Sequence, residues 1–286
     1  MFTQKQTINL NGKLMDFEYP KVMGILNVTP DSFYDGGNYT TSANITTHVK
    51  EIISEGADII DVGGMSSRPG AKIIDATDEW SRLDKALDII RTISPDMPVS
   101  VDTVRSGIAY KSIDKYHVDM INDISGGRMD EAMFDVVAEK QIPYVMMHMQ
   151  GTPATMQEKP SYKDFPGDIL SFFHQQISKL KTKNVHDIII DPGFGFGKTV
   201  EQNYMLLHHL RRFKIIGHPL MVGLSRKSMI TKYLNITASE SLPETSALHA
   251  MALMKGADIL RVHDVAAANR VITLMMKMKN SFNSNW

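Results

Sequence analysis

Polar side chains that could bind or activate a small molecule recur at intervals along this sequence of 286 residues. Each follows a short apolar run, and together they are Asn27, Asp61, Asp102, Asn122, His148, Asp191, Ser225 with Lys227, and Arg261 with His263. Arg261 and His263 stand two positions apart, so in a strand their side chains share one face. Two cationic groups on one face suit a phosphate ligand.

The apolar runs before these residues predict eight strands. The runs span about residues 22–28, 58–64, 99–103, 120–124, 143–148, 187–193, 220–226 and 259–264. They are rich in β-branched residues and nearly all apolar, as strands covered on both faces are. Helical periodicity lies between the runs, for example at Leu83, Ala86, Leu87 and Ile90.

Eight strand–helix repeats without a linker predict one α/β domain over residues 1–286, a single (β/α)8 TIM barrel at about 20–275. A β-hairpin at about 7–17, with Asn11-Gly12 as its turn, is expected to plug the bottom of the barrel. The polar tail from 276 onward is expected to fray. A doubly wound open sheet is the alternative architecture. In a barrel the polar strand ends meet at one site, whereas singly they could merely cap turns.

Composition excludes several classes of function. Lys and Arg number 31 against 32 Asp and Glu, so the charge needed for a nucleic-acid surface is missing. The absence of Cys excludes disulfides, thiolate metal sites and a cysteine nucleophile, and fits a reducing cytoplasm. Neither a signal peptide nor an apolar run of about 18 residues is present, so we expect a cytoplasmic protein without a membrane partner.

A glycine-rich segment, GFGFGKT at 193–199, invites comparison with phosphate-binding loops. The Walker A pattern fails because Pro192 stands where its first glycine belongs. The dinucleotide-binding pattern fails because Lys198 stands where its last glycine belongs. The segment therefore predicts a flexible loop that carries aromatic residues after the sixth strand.

The strand-end segments resemble the signature motifs of the dihydropteroate synthase family. The matching segments are VMGILNVTPDSF (22–33), GGMSSRPGA (63–71), VSVDT (99–103), INDISGG (121–127), MHMQGTP (147–153), DPGFGFGK (191–198), GLSRKS (223–228) and RVHD (261–264). The resemblance extends from about residue 8 to 270. It implies a transferase of folate synthesis that joins 4-aminobenzoate to 6-hydroxymethyl-7,8-dihydropterin diphosphate, giving 7,8-dihydropteroate and diphosphate. It also implies a magnesium cofactor, a homodimer, and sulfonamides that compete for the aminobenzoate site.

Matching motif positions imply a role for each site residue. The resemblance assigns the pterin to Asp102, Asn122, Met147, Asp191 and Lys227. It assigns the diphosphate to Ser67, Arg261 and His263, and magnesium to Asn27. It assigns 4-aminobenzoate to Phe33, Arg68, Pro69 and Ser225. Loops at about 29–38 and 65–72 are expected to order on substrate binding.

Three positions depart from the family pattern. Met65 stands where we expect Glu or Ala, Ser67 where we expect Thr, and Tyr34 where a small Ser is common. Ser67 keeps the hydroxyl that can donate to phosphate, so we expect a modest effect there. Tyr34 is expected to change the packing of the first loop.

Three other functions would use part of the same residues. A pterin-barrel methyltransferase would share the pterin set but has no use for Ser67, Arg261 and His263. An aldolase-like lyase would use Lys227 as a Schiff-base lysine, which borohydride trapping would reveal. A non-catalytic pterin-binding relative would lack the diphosphate or first-loop residues, and none is lost.

Overall fold

The N-terminal residues form the predicted hairpin in the computed structural model, which describes residues 6–29, 42–66, 74–156 and 160–281. Strands β1 (Thr7–Leu10) and β2 (Lys13–Asp16) pair antiparallel. Asn11 and Gly12 make the turn with φ of 48° and 89°. Positive φ at both positions is what a two-residue hairpin turn of this kind requires.

Eight parallel strands form the barrel. They are β3 (Lys21–Asn27), β4 (Ile59–Gly63), β5 (Val99–Asp102), β6 (Met120–Asp123), β7 (Tyr144–Met147), β8 (Ile188–Asp191), β9 (Met221–Val222) and β10 (Ile259–Val262). Their order in the sheet is β8-β7-β6-β5-β4-β3-β10-β9. A parallel bridge between Ile190 and Leu220 joins the two outer strands. The predicted (β/α)8 barrel is therefore confirmed, and the open-sheet alternative is wrong.

Helices alternate with the strands and cover the outside of the barrel. They are α1 (Ser42–Ser54), α2 (Ala76–Ile93), α3 (Ser106–Tyr116), α4 (Met133–Lys140), α5 (Gly167–Thr182), α6 (Val200–His208), α7 (Ser228–Leu234), α8 (Leu242–Met254) and α9 (Val265–Ser281), with a 3-10 helix at Leu210–Ile216. The periodic set on α2 is fully buried against the strands, as its spacing predicts. Within the described ranges, none of the helices is long and apolar enough to cross a membrane.

The last helix is longer than the sequence suggests. Helix α9 continues to Ser281, so residues 276–281 are helical instead of frayed. Buried Ile272 anchors the helix to the core, and Lys279 lies in its last turn, where a cation is favourable. Residues 282–286 of the expected tail lie outside the described part of the chain.

The hairpin closes the lower end of the barrel. An apolar interior layer is built from one residue on each of seven strands: Met23, Ile59, Met120, Val145, Ile189, Met221 and Ile259. Ile8 and Leu10 of β1 pack on this layer and are 1% and 5% exposed. The expected plug is therefore present, and it leaves the carboxyl end of the barrel as the place for a site.

We expect Ile8→Ala to lower the free energy of unfolding by about 2–4 kcal/mol, because it leaves a cavity beneath the barrel. The matched control is Leu14→Ala in the same hairpin, where the side chain is 73% exposed. The control should change stability by less than about 0.5 kcal/mol. Urea unfolding followed by circular dichroism measures both, and equal losses would contradict the plug.

Candidate active site

Four strands align their last inward-facing residues in one row. Asn27, Gly63, Asp102 and Asn122 are register partners across β3, β4, β5 and β6. A Cβ atom at Gly63 would lie 3.1 Å from Asn27 Oδ1 and 3.7 Å from Asp102 Cβ. The glycine therefore leaves open space between an amide and a carboxylate at the carboxyl end of the barrel, where barrel enzymes bind substrates.

Arg261 crosses the barrel interior to two carboxylates. Its Nε donates to Asp61 Oδ2 at 2.6 Å, and one terminal nitrogen donates to Asp102 Oδ2 at 2.8 Å. The same Asp61 oxygen accepts from Asn122 Nδ2 at 3.0 Å. The row and Arg261 therefore form one hydrogen-bonded network.

Asp61 is a member of this network to which the sequence resemblance gives no role. It is fully buried and lies two residues before Gly63 on the same face of β4. A carboxylate inside an otherwise apolar strand was the available signal, because a buried charge needs a partner. Only the barrel shows that this partner is Arg261.

Burial, together with the nearby carboxylates of Asp61, Glu79 and Asp123, raises the pKa of Asp102 to about 7, while Arg261 opposes the rise. The charge of this carboxyl therefore depends on its cationic neighbour. A ligand that donates an N–H group to Asp102 would favour the ionised form in the same way.

Lys227 and Asp191 interact electrostatically at the carboxyl end of the barrel, each affecting the pKa of the other. Burial lowers the pKa of Lys227 to about 8, and Asp191 opposes this shift. Burial raises the pKa of Asp191, and Lys227 opposes that shift. Lys227 Nζ donates to the carbonyl of Phe194 and lies 4.6 Å from the centroid of the Phe196 ring. The lysine is thus held over an aromatic face.

The glycine-rich loop is held by lysines and is not the free, flexible turn that its glycines predict. Lys198 Nζ is buried and donates to Gly193 O at 2.8 Å and to Phe196 O at 3.0 Å. It also lies 3.2 Å from His148 Nδ1. Burial, with Lys198 and Arg128 nearby, lowers the pKa of His148 to about 2, so this ring is neutral and supports the loop.

An apolar wall stands beside the polar network. It is a cluster of buried side chains, Met65, Val104, Ile124, Met147, Met149 and Met156, with Ile74 and Phe196 packed against it. Met65, one of the departures from the family pattern, is 9% exposed and belongs to this wall. The sequence analysis did not identify Ile124 as a site residue, although it follows Asn122 by two residues, the spacing that puts side chains on one face of a strand. It did not identify Phe196 either, for which the only signal was an aromatic residue in a glycine-rich loop.

The seventh and eighth strand ends meet at the rim. Ser225 Oγ lies 3.1 Å from His263 Nδ1. Strand β9 already ends at Val222, and Arg226 has a φ of 55°, so strand alternation does not extend to Ser225 and Lys227. Arg226 pairs instead with Asp264 at 2.9 and 2.5 Å, which ties the two strand ends together.

The remaining site predictions lie outside the described residues. They are Phe33, Ser67, Arg68 and Pro69. Tyr34, which departs from the family pattern, and most of the two loops expected to order on substrate binding also lie outside them. The described strand ends bring together Asn27, Asp102, Asn122 and Arg261. Asp191 and Lys227 lie within electrostatic reach of Arg261.

The donor set decides how a cation could be held. Among the residues that the structure describes, no group of three or more His, Asp or Glu side chains could hold a metal ion. The amide oxygen of Asn27 faces the row beside Gly63. Magnesium accepts one protein oxygen together with phosphate oxygens and waters, so Asn27 fits a cation that arrives with a phosphorylated ligand.

Comparison with known proteins supports one family. The sequence profile described as "Pterin binding enzyme" matches residues 23–263. The dihydropteroate synthase of Escherichia coli (strain K12) is 39% identical over 277 residues, covering 94% of this chain and 96% of that protein. The Yersinia pestis dihydropteroate synthase in complex with a sulfonamide drug superimposes with a TM-score of 0.89 at 35% identity, covering 96% of this chain and 100% of that one.

A second solved structure agrees. The Xanthomonas albilineans dihydropteroate synthase with 4-aminobenzoic acid has a TM-score of 0.89 at 34% identity, covering 96% of this chain and 99% of that one. These matches extend over the whole barrel, including the network around Arg261 and the pair of Asp191 and Lys227. The chain belongs to the dihydropteroate synthase family of pterin-binding enzymes.

Proposed function

We propose that this enzyme joins 4-aminobenzoate to 6-hydroxymethyl-7,8-dihydropterin diphosphate, forming 7,8-dihydropteroate and diphosphate. The observation that carries the proposal is the network of Asp102, Asn122 and Arg261, with Lys227 and Asp191 within electrostatic reach. At one end of the barrel, this network brings carboxylate and amide oxygens that can accept from ring N–H groups close to a guanidinium that can bind phosphate. The family membership supports the same reaction.

The pterin is proposed to lie on the four polar residues beside the apolar wall. A reduced pterin presents amide and amidine edges, so Asp102 and Asp191 accept from its N–H groups. Asn122 both donates and accepts, and Lys227 donates to the ring carbonyl. Met147, which is 3% exposed, offers an apolar surface to one face of the ring.

The diphosphate is proposed to bind beside Arg261 and His263, with Ser67 as a further donor. The bonds to Asp61 and Asp102 use two of the five N–H donors of Arg261, which leaves donors for phosphate oxygens. Asn27 would hold magnesium through its amide oxygen, together with oxygens of the diphosphate. When bound, magnesium neutralises charge on the leaving group.

The aminobenzoate is proposed to lie at the rim, near Ser225 and the residues Phe33, Arg68 and Pro69. The contact between Ser225 Oγ and His263 Nδ1 supports this location. Sulfonamides share the arylamine shape of this substrate. We therefore propose that they compete with 4-aminobenzoate, which steady-state inhibition at varied 4-aminobenzoate would show as a change in KM alone.

The carbon–oxygen bond is proposed to break before the new bond forms. Diphosphate leaves with the bonding electrons, and positive charge develops on the pterin methylene, where the ring nitrogens and nearby carboxylates stabilise it. The amino nitrogen then attacks and releases a proton, so no covalent enzyme intermediate forms. A secondary isotope effect at the methylene clearly above unity is expected. A value near unity would contradict this order.

The direct test is diphosphate release by the purified protein. The reaction contains the pterin diphosphate, 4-aminobenzoate and magnesium, and each is left out in turn. Release that requires all three, with dihydropteroate formed, supports the proposal. No release despite pterin binding would favour a methyltransferase or a non-catalytic protein, and corrinoid-dependent methyl transfer would separate those two.

We also propose that the protein acts as a homodimer of single-domain subunits. Helices α7, α8 and α9 expose apolar side chains that a second copy could cover: Tyr233, Leu234, Met251, Met254, Leu274 and Met278. Exposed apolar area of this kind is typical of protein–protein interfaces. A reducing cytoplasm as its location is supported by the absence of Cys.

Leu274→Glu is expected to convert the dimer to a monomer, because it would bury a charge in the proposed interface. Leu274 is 70% exposed in the single chain, so the fold itself should tolerate the change. Leu14→Glu in the hairpin, at 73% exposure, is the control and should leave the dimer intact. Light scattering after size exclusion gives the mass; a monomeric wild-type protein would contradict the proposal.

A further inference from the structure

We propose that Asp61 is a positioning residue for the reaction, which sets the orientation of Arg261 and of the Asn122 amide. The inference rests on the proposed function and extends it to a residue that touches no substrate. Asp61 is fully buried below the row, whereas Arg261 and Asp102 are only partly buried. A group at this depth can act on the reaction only through its neighbours.

The geometry gives Asp61 two partners on different sides of its strand. In the sheet, β6 lies two strands from β4 in one direction and β10 lies two strands away in the other. A single oxygen, Asp61 Oδ2, accepts from Asn122 at 3.0 Å and from Arg261 at 2.6 Å. One carboxylate therefore links a proposed pterin residue to a proposed diphosphate residue across the barrel interior.

The contact with Asp61 determines how Asn122 is presented. A carboxylate can only accept, so the Asn122 group that faces it must be the amino group. The Asn122 oxygen is thereby left to accept from a ligand N–H, with the second amino hydrogen available to donate. Without an acceptor at Asp61, the amide could rotate and present the wrong edge to the pterin.

Arg261 is fixed in the same way. Its guanidinium lies between Asp61 and Asp102, and this fork holds its plane. A planar group that is held at two points needs no reordering when the phosphate arrives. Loss of the contact with Asp61 should therefore lower kcat, even in a variant that still folds.

Stability alone does not explain a carboxylate at this position. Buried ion pairs are often no more stabilising than apolar residues of similar volume, because both charges are desolvated. The layer below is apolar on seven of the eight strands. The second oxygen, Asp61 Oδ1, is buried and accepts no hydrogen bond from any described residue. An unpaired buried oxygen lowers the stability of the fold, so the presence of a carboxylate here points to a role in orienting Arg261 and Asn122.

The test compares three variants of the interior. Asp61→Ala should lower kcat by about 10²-fold, as loss of a supporting residue behind a ligand-binding group does. Asp61→Asn keeps an acceptor oxygen and should recover most of that loss. Ser100→Ala is the control, because Ser100 is the register partner of Asp61 on β5, is fully buried, and its hydroxyl has no partner among the described residues. It should leave kcat unchanged.

A double-mutant cycle with Arg261→Ala decides whether Asp61 acts through Arg261. In the Arg261→Ala background, Asp61→Ala should lower kcat by less than about 10-fold, because coupled residues are not additive and only the effect through Asn122 remains. The KM for 4-aminobenzoate should stay within about 2-fold throughout, since neither proposed partner of Asp61 binds it. Should Asp61→Ala fail to fold, the same cycle is run with Asp61→Leu, which removes both acceptor oxygens but leaves no cavity.

Two results would overturn the inference: kcat for Asp61→Ala equal to that for Ser100→Ala, or independent effects that multiply in the cycle. Diphosphate release by the wild-type enzyme tests the proposed function separately. A wild-type protein that releases no diphosphate refutes the function. An active wild-type enzyme with unaffected Asp61 variants refutes only the role of Asp61.

Discussion

Arg261→Ala should lower kcat/KM for the pterin diphosphate by about 10³-fold, the largest effect expected for a single substitution here. The residue is proposed to hold charge on the departing diphosphate, and this charge grows as the bond breaks. Removal of a fixed donor from such a position costs catalysis more than binding. Diphosphate release at saturating 4-aminobenzoate measures the change.

The same substitution should lower the free energy of unfolding by about 3–5 kcal/mol, because it leaves the carboxylates of Asp61 and Asp102 without their cationic partner. Arg261 normally opposes the rise in the pKa of Asp102. Without it the folded carboxyl binds its proton still more tightly than the unfolded one does. The stability of the variant should therefore fall further below that of the wild type as pH rises above about 7, where the wild-type Asp102 carboxyl ionises and that of the variant still holds its proton.

Arg270→Ala is the matched control for this prediction. Arg270 is exposed on α9 and donates only to a carbonyl of its own helix among the contacts described. It should change neither turnover nor stability by a measurable amount. Full activity of Arg261→Ala would refute the proposed role in diphosphate binding, whatever the stability of that variant.

Lys227→Ala should lower kcat/KM for the pterin diphosphate by about 10²-fold, since a hydrogen bond to a charged group contributes about 1.5–3 kcal/mol. The protonated amine donates a charge-assisted hydrogen bond to the ring carbonyl, which is about twice as strong as the bond from a neutral amine. Burial lowers the pKa of Lys227 to about 8, so the wild-type enzyme should lose pterin affinity as pH rises through that value. A pH profile of kcat/KM between pH 6 and about 10 should show this falling limb.

Lys227→Arg separates charge from titration at this position. Arginine stays protonated over the whole range, so the falling limb near pH 8 should disappear even if overall activity is reduced. Persistence of the limb in Lys227→Arg would assign it to another group. A lowered lysine pKa also suits a Schiff-base lysine, so borohydride treatment with a ketone serves as the control; the protein mass should not change.

The barrel architecture was predictable from the amino-acid sequence. Strands covered by helices need long apolar runs, and the runs at 22–28 through 259–264 located all eight barrel strands. The turn at Asn11-Gly12 was equally readable, because it depends on a backbone conformation that few residues adopt. The motif resemblance also identified the family, since the residue types at the strand ends are local in sequence.

The contacts between those residues depend on the assembled barrel. Asp61 and Arg261 are 200 positions apart, and their contact exists only because β4 and β10 both border β3 in the closed barrel. Lys198 likewise holds the glycine loop, because the acceptors that its buried amino group meets among the described residues are the loop carbonyls and His148. Strand alternation predicts which face a side chain takes, but it gives neither the depth in the barrel nor the partner across it. Burial and pairing of charge belong to the assembled fold, so the positioning role of Asp61 could be inferred only there.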